Sequence, residues 1–280
     1  MKLSRTVASA LLPCLTLGVW MAGLVPSSAA TSVNLQAVSF RSSTLAVRGL
    51  GDSVPFATGC GCTSYVVQFG QELARHRARH VSVINQAQEG FTSAGLRDQV
   101  QSMQTRARNR VVTIVTIGAN DFSPAQLSSP GCTADEGMAC YRGALSQLGK
   151  NVAATLKTLS GGTSHATILV TGYWNVFLDG QVGAAKGDAY VRDSAALTMQ
   201  VNDVLRQAAS NDHDTFVDLA EPFHRGDITS LLEDDGDHPS AAGHKLITDL
   251  LWNAMMHGSR SPTPSASPTV SASPTPSPSP

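Results

Sequence analysis

The strongest constraint on the fold is the uncharged segment at residues 111–117, which reads Val-Val-Thr-Ile-Val-Thr-Ile. β-branched side chains favour extended backbone, and a strand without charges is typical of a parallel sheet covered on both faces. Four further apolar runs, at residues 45–47, 81–84, 166–171 and 216–219, predict additional strands. Helical patterns separate these runs, so the sequence predicts an α/β fold with a doubly wound parallel sheet.

The predicted helices show apolar residues at spacings of three and four, as an amphipathic helix requires. A more polar helical stretch is predicted at residues 93–108, and the last helix is predicted to begin near Ser240. The other apolar stripes are Val66, Phe69 and Leu73; Leu145, Leu148, Val152, Leu156 and Leu159; Val201, Val204, Leu205 and Ala208; and Leu246, Ile247, Leu250 and Leu251. Right-handed crossovers place the carboxyl ends of all strands at one edge of the sheet. We therefore expect functional residues to follow strands.

The first 30 residues have the pattern of a secretory signal peptide. Lys2 and Arg5 precede an apolar stretch at about residues 7–25, and small residues suited to cleavage follow it. Pro13 interrupts the apolar stretch, which disfavours the alternative of a membrane anchor. We expect a secreted, extracellular protein with no stable membrane insertion after the signal is cleaved.

The opposite end of the chain has a composition that cannot form a core. Residues 259–280 are almost entirely Ser, Pro, Thr and Ala, which predicts a disordered tail or extended spacer. Between the two ends, residues 31–258 are long enough for one α/β domain with a substantial core.

Charge and cysteine content narrow the function classes. The formal net charge is −1 and no basic stripe is present, which argues against a nucleic-acid partner. Outside the signal peptide the chain has four cysteines, Cys60, Cys62, Cys132 and Cys140, and an even number in an exported chain favours two disulfides. Three pairings are open, and zinc ligation is a weaker alternative because no histidine lies at finger-like spacing. We expect no metal.

Polar clusters follow the predicted strands at the positions where catalytic residues are expected. Ser53 follows the first strand, and a histidine such as His238 is the side chain suited to removing its proton near neutral pH. Asp235, three residues earlier, can hold the other ring nitrogen of that histidine. The backbone N–H groups of Ser53 and Gly90 and the side-chain amide of Asn120 can bind an oxyanion. Together these residues predict nucleophilic acyl transfer.

Two nearby features leave alternatives open. Asp237 lies between the acid and the base and competes with Asp235 as the orienting carboxylate. The aromatic-rich residues 173–177 follow the fourth strand, where they either line a substrate pocket or pack beneath a loop.

The motifs of this chain resemble those of the SGNH hydrolases, which are also called the GDSL esterase/lipase family. The resemblance is to the secreted bacterial members of that family. Residues 51–54 read Gly-Asp-Ser-Val, where the family usually has Leu or Tyr in the fourth place. Gly90 matches the glycine of the second block, and residues 118–121, Gly-Ala-Asn-Asp, match the third block in full. The last block, Asp-x-x-His-Pro, matches residues 235–239, and the resemblance covers about residues 46–252.

The resemblance implies a flavodoxin-like, three-layer α/β/α sandwich with a five-stranded parallel sheet in the order 2-1-3-4-5. It also implies metal-independent ester hydrolysis without a cofactor. The name-giving residues would be Ser53, Gly90, Asn120 and His238, and Asp235 would complete the catalytic triad.

We therefore expect a secreted serine esterase or lipase that acts on lipids, small esters or acetylated glycans, and we expect it to be a monomer. An acyltransferase that uses the same site with a glycan acceptor is an alternative. A catalytically silent polysaccharide-binding domain is another, disfavoured because every catalytic position is intact. A flavin-binding domain is disfavoured because the loop after the first strand lacks a Ser/Thr/Gly-rich phosphate cradle.

Overall fold

Five parallel strands form the central sheet. The computed structural model describes residues 45–77, 80–103, 110–161 and 166–258. The predicted signal peptide at 1–30 and the predicted tail at 259–280 lie outside these residues. The strands are β1 (Leu45–Gly51), β2 (Val81–Asn85), β3 (Arg110–Thr116), β4 (Thr167–Thr171) and β5 (Thr215–Val217). They are hydrogen-bonded in the order β2-β1-β3-β4-β5, all in parallel, so the predicted strand order is confirmed.

Among the described residues, eight α-helices connect and cover these strands. They are α1 (Ser53–Phe56), α2 (Tyr65–Arg77), α3 (Ser93–Ser102), α4 (Arg142–Ser160), α5 (Gly180–Ala184), α6 (Asp188–Asn211), α7 (Ala220–Phe223) and α8 (Ala241–His257). Short 3₁₀ helices lie at Ala119–Asp121, Pro124–Gln126, Ala139–Tyr141 and Ile228–Leu231. Three of the α-helices, α1, α5 and α7, were not predicted, because four or five residues are too few to show a 3.6-residue period.

β3 is the centre of the core. Six of its seven residues are buried, and it pairs with β1 on one side and β4 on the other. Helix α4 packs against both α3 and α6, while α2 and α8 pack together as a separate pair. The stripe predicted on α4, from Leu145 to Leu159, is buried. This arrangement gives the expected α/β/α layers and brings the carboxyl ends of β1, β3 and β4 to one edge.

Some predicted boundaries were wrong. The polar helix predicted at 93–108 ends at Ser102, because Met103 adopts extended backbone with φ −68° and ψ 130°, and residues 104–108 of that prediction lie outside the described residues. The fifth strand is Thr215–Val217 rather than 216–219, and Asp218 instead accepts a hydrogen bond from the N–H of Ala220 at the start of α7. Among the described helices, none has both the length and the apolar character needed to cross a membrane.

The cysteines pair within their own loops. Cys60 is bonded to Cys62 with Cα atoms 5.0 Å apart, and Cys132 is bonded to Cys140 with Cα atoms 5.2 Å apart. Of the three pairings that the sequence left open, the structure therefore has the two local bridges. Each bridge constrains a loop that follows a strand on the same edge of the sheet.

Candidate active site

Ser53 follows a tight turn at the end of β1, and this turn requires glycine at position 51. Gly51 has φ +134°, and a Cβ atom built on it would lie 1.7 Å from the carbonyl oxygen of Thr116. The close approach of β1 to β3 lets the N–H of Asp52 donate to that same oxygen at 3.1 Å. The Asp52 carboxylate then caps α1 by accepting from the N–H of Val54 at 3.0 Å. Ser53 is thus the first residue of a short helix, with its side chain half-buried at the sheet edge.

The structure brings Ser53, His238 and Asp235 together in a hydrogen-bonded series. His238 Nε2 lies 2.9 Å from Ser53 Oγ, and His238 Nδ1 lies 2.7 Å from Asp235 Oδ2. The carboxylate is acceptor-only when ionised, so it holds the proton of the ring on Nδ1. Nε2 is then free to accept the proton of the serine hydroxyl.

Asp235 is fixed by backbone as well as by the imidazole. Its Oδ1 accepts from the N–H groups of Asp237 and His238, both at 2.9 Å. Burial acts to raise the pKa of Asp235, but the hydrogen bonds from His238 and from the Asp237 N–H outweigh it and hold that pKa below its usual value. The Asp237 carboxylate makes no hydrogen bond to the ring of His238, so Asp235 is the carboxylate of the two that contacts the imidazole.

The predicted oxyanion donors lie on the loops beside Ser53. Asn120 is exposed in a 3₁₀ turn directly after β3, and its Nδ2 donates to the carbonyl of Phe91 at 3.0 Å, which leaves the second amide hydrogen free. Gly90 is exposed with φ +69°, a conformation that favours glycine. Among the loop and capping hydrogen bonds of the described residues, none uses the N–H of Ser53 or of Gly90.

Hydrogen bonds join these loops to one another. Asp121 accepts from the N–H of Ser93 at 2.9 Å and from its hydroxyl at 2.6 Å, so the turn after β3 is tied to the start of α3. Asn85, at the end of β2, donates to the carbonyl of Pro55 at 2.7 Å. The sequence marked both segments, but the side chains that link them could not be assigned without the structure.

The aromatic residues after β4 pack in the core rather than line a pocket. Tyr173, Trp174, Val176 and Phe177 are all at most 5% exposed, and Trp174 stacks on Phe223 with ring centroids 4.5 Å apart. Of the two interpretations offered by the sequence, packing beneath a loop is therefore the observed one.

His244 is a buried member of α8 and not a second base. Its Nδ1 accepts from the N–H of Tyr65 at 3.3 Å, and burial lowers its pKa to about 4, so the ring is neutral. One of its ring nitrogens and the sulfurs of Cys60 and Cys62 lie within 4.8 Å of one another, the one group of metal-ligating type found among the described residues. Both sulfurs are already bonded to each other, so the group lacks the thiolates that a soft metal ion requires.

Comparison with protein families decides the class. The model of the GDSL-like lipase/acylhydrolase family matches residues 50–246, a span that includes Ser53, Gly90, Asn120, Asp235 and His238. The chain belongs to this family. It is accordingly an ester hydrolase of the SGNH type, as its motifs predicted. Among curated proteins, none matches the sequence.

Solved structures share the fold at low sequence identity. The lipase Lip_vut3 from a goat rumen metagenome has a TM-score of 0.61 and 18% identity over 75% of this chain and 97% of that one. An acetyl xylan esterase from Geobacillus stearothermophilus has a TM-score of 0.52 and 17% identity, covering 75% and 94%. A lipase/acylhydrolase from Enterococcus faecalis has a TM-score of 0.53 and 15% identity, covering 75% and 94%. These likenesses show the fold.

Proposed function

We propose that this SGNH hydrolase is a secreted serine esterase that cleaves carboxylic esters through an acyl-enzyme on Ser53. The observation that carries the proposal is the unbroken series from Ser53 Oγ to His238 Nε2 (2.9 Å) and from His238 Nδ1 to Asp235 Oδ2 (2.7 Å). A serine hydroxyl is activated when a base lies within hydrogen-bond reach of it and an acid within reach of the base holds that base in place.

In this mechanism His238 takes the proton of Ser53 as Oγ attacks the ester carbonyl. Negative charge develops on the carbonyl oxygen, and the N–H groups of Ser53 and Gly90 and the amide of Asn120 are the donors that would stabilise it. His238 then gives its proton to the leaving alkoxide, which departs as an alcohol. Water, activated by the same imidazole, attacks the acyl-enzyme and releases the carboxylic acid.

We propose esters with short acyl chains, including acetylated glycans, as the preferred substrates. The burial of the aromatic segment after β4 supports this, because those side chains are not available to line a long apolar cleft. Of the proteins with the same fold, one is named a lipase and another an acetyl xylan esterase. The fold is therefore compatible with lipid esters and with acetylated glycans.

Export is proposed from the signal-peptide pattern at residues 1–30 and is supported by the two disulfides, which persist in oxidising compartments.

The test is hydrolysis of p-nitrophenyl esters from acetate to palmitate by the wild type and by Ser53→Ala, with a metal chelator present throughout. We expect activity that survives the chelator, is highest on acetate or butyrate, and falls by several orders of magnitude in Ser53→Ala. Products formed in the presence of an acetylated xylan and of a free glycan acceptor distinguish hydrolysis from acyl transfer. A folded wild type that is inert toward every ester overturns the proposal.

A further inference from the structure

A cluster of fully buried polar side chains lies beneath Ser53. Its members, here called the buried polar cluster, are each 0% exposed: Asp52, Tyr65, Thr116, Thr171 and Tyr173. Tyr65 Oη lies 2.5 Å from Thr116 Oγ1, and Thr116 Oγ1 lies 2.7 Å from Thr171 Oγ1. Burying polar groups is costly unless they are hydrogen-bonded, and each of these has a partner within the cluster: Tyr65, Thr116 and Thr171 form one series, and Tyr173 and Asp52 form a second.

The carboxylate of Asp52 connects this cluster to the nucleophile. Its Oδ1 accepts from the N–H of Val54 at 3.0 Å, and its Oδ2 accepts from the hydroxyl of Tyr173. Ser53 lies between Asp52 and Val54 in the chain. The carboxylate therefore fixes the backbone on both sides of the nucleophile.

Tyr173 connects the same carboxylate to the turn that carries Asn120. Its hydroxyl oxygen accepts from the N–H of Ala119, 3.5 Å away, while its proton is donated to Asp52. One oxygen atom at the end of β4 thus contacts the Ser53 turn after β1 and the Asn120 turn after β3.

We infer that Asp52 and Tyr173 form a positioning pair that sets the distance and orientation between the Ser53 hydroxyl and the Asn120 amide. The inference rests on the proposed esterase function. Neither side chain is placed to touch substrate, since both are fully buried; they act through the residues they hold.

The chemistry of the pair favours a functional role over packing alone. Burial raises the pKa of Asp52 to about 7, with the hydrogen bonds from Tyr173 and the Val54 N–H opposing that rise. Four titratable groups are coupled to Asp52, in that their charges or hydrogen bonds shift its pKa or its charge shifts theirs. They are Tyr65, Tyr173, Asp237 and His238. An interior carboxyl of this kind destabilises the fold in its charged form, and such groups occur preferentially at functional sites.

The experiment compares four variants with the wild type on p-nitrophenyl acetate: Tyr173→Phe, Asp52→Asn, their double variant, and Tyr141→Phe. Tyr141 is the matched control, because it is also buried and its hydroxyl donates a single hydrogen bond, to the carbonyl of Ser123 at 2.9 Å. The readouts are kcat and KM separately, the pH profile of kcat, and the melting temperature.

We expect Tyr173→Phe and Asp52→Asn each to lower kcat by tenfold or more while KM changes less than threefold. The double variant should be no worse than the poorer single variant, because residues of one linked pair act together. In Tyr173→Phe the lost hydrogen bond raises the pKa of Asp52 further. If the ionised carboxylate is the form that positions Ser53, the kcat of this variant falls off at a higher pH than that of the wild type, and Asp52→Asn cannot show that shift. Tyr141→Phe should have a lower melting temperature than the wild type and an unchanged kcat.

Three results would overturn the inference while the wild type remains active: an unchanged kcat in Tyr173→Phe, multiplicative losses in the double variant, or an equal loss of kcat in Tyr141→Phe. If Tyr173→Phe does not fold, Asp52→Asn decides, and a kcat within threefold of the wild type rejects the pair. A wild type inert toward every ester instead removes the proposed function, and the role of the pair with it.

Discussion

Asp235→Asn tests the catalytic series because the structure dictates how the new amide must lie. Asp235 Oδ1 accepts two backbone N–H groups, those of Asp237 and His238, each at 2.9 Å. The single carbonyl oxygen of asparagine must take that position, since an NH₂ group there would face two donors. The NH₂ group then occupies the Oδ2 position, 2.7 Å from His238 Nδ1.

An NH₂ group facing Nδ1 forces the imidazole into the wrong tautomer. Nδ1 must become the acceptor, so the ring proton moves to Nε2, which faces Ser53 Oγ at 2.9 Å. The Nε2–H group then donates to Ser53 Oγ, and the imidazole offers no lone pair to accept the serine proton. We expect kcat to fall about 10⁴-fold, on the order of 5 kcal/mol of transition-state stabilisation, with little change in the fold.

The assay is kcat for p-nitrophenyl acetate at pH 7.5, together with long-range ¹H–¹⁵N spectra that identify which nitrogen of His238 carries the proton. Asp237→Asn is the control, because it makes the same chemical change two residues away without a hydrogen bond to the ring; its kcat should stay within about tenfold of the wild type. If Asp235→Asn keeps more than about one hundredth of the wild-type kcat, or keeps its proton on Nδ1, the assignment of Asp235 is refuted.

Three further perturbations have defined outcomes. Asn120→Ala removes one oxyanion donor, so kcat should fall about 10²–10³-fold with KM nearly constant; a larger change in KM than in kcat would argue against that role. Burial, with Asp212 nearby, raises the pKa of Asp214 from its ordinary 3.8 to about 7, so the folded state loses stability as the pH rises from about 4 to about 7 and the full penalty is present above that range. Asp214→Asn should therefore raise the free energy of unfolding by about 1–2 kcal/mol at pH 8 and by almost nothing at pH 4, as thermal denaturation at the two pH values will show. Replacing Cys132 and Cys140 together by serine should lower stability by about 2–3 kcal/mol without lowering kcat at 25 °C, and added reductant should lower the melting temperature of the wild type more than that of the variant, which keeps only the Cys60–Cys62 bridge.

The sequence was sufficient for features that depend on local pattern. An uncharged β-branched run predicted the buried β3, and spacings of three and four predicted α4, because both follow from which face of an element is covered. The strand order and the grouping of Ser53, Asp235 and His238 came from motifs whose spacing is characteristic of a family. These predictions needed no knowledge of side-chain contacts.

What the sequence could not provide depends on side chains that meet across strands. Tyr65, Thr116 and Tyr173 are distant in the chain and none stands in a recognisable motif, so the buried polar cluster was missed. The cysteine pairing stayed open because spacing alone does not say whether two loops meet. The segment from Tyr173 to Phe177 was equally consistent with a pocket and with packing, since both require apolar side chains near the sheet edge.

The catalytic hydrogen bond joins residues 185 positions apart, Ser53 near the start of the described chain and His238 just before α8. A growing polypeptide can form β1 through β4 and their helices while it still has a serine without a base. On the proposed mechanism, esterase activity therefore depends on the segment that follows β5, because that segment carries His238. On the proposed mechanism, a chain that ends before His238 has no base for Ser53 and should have no esterase activity.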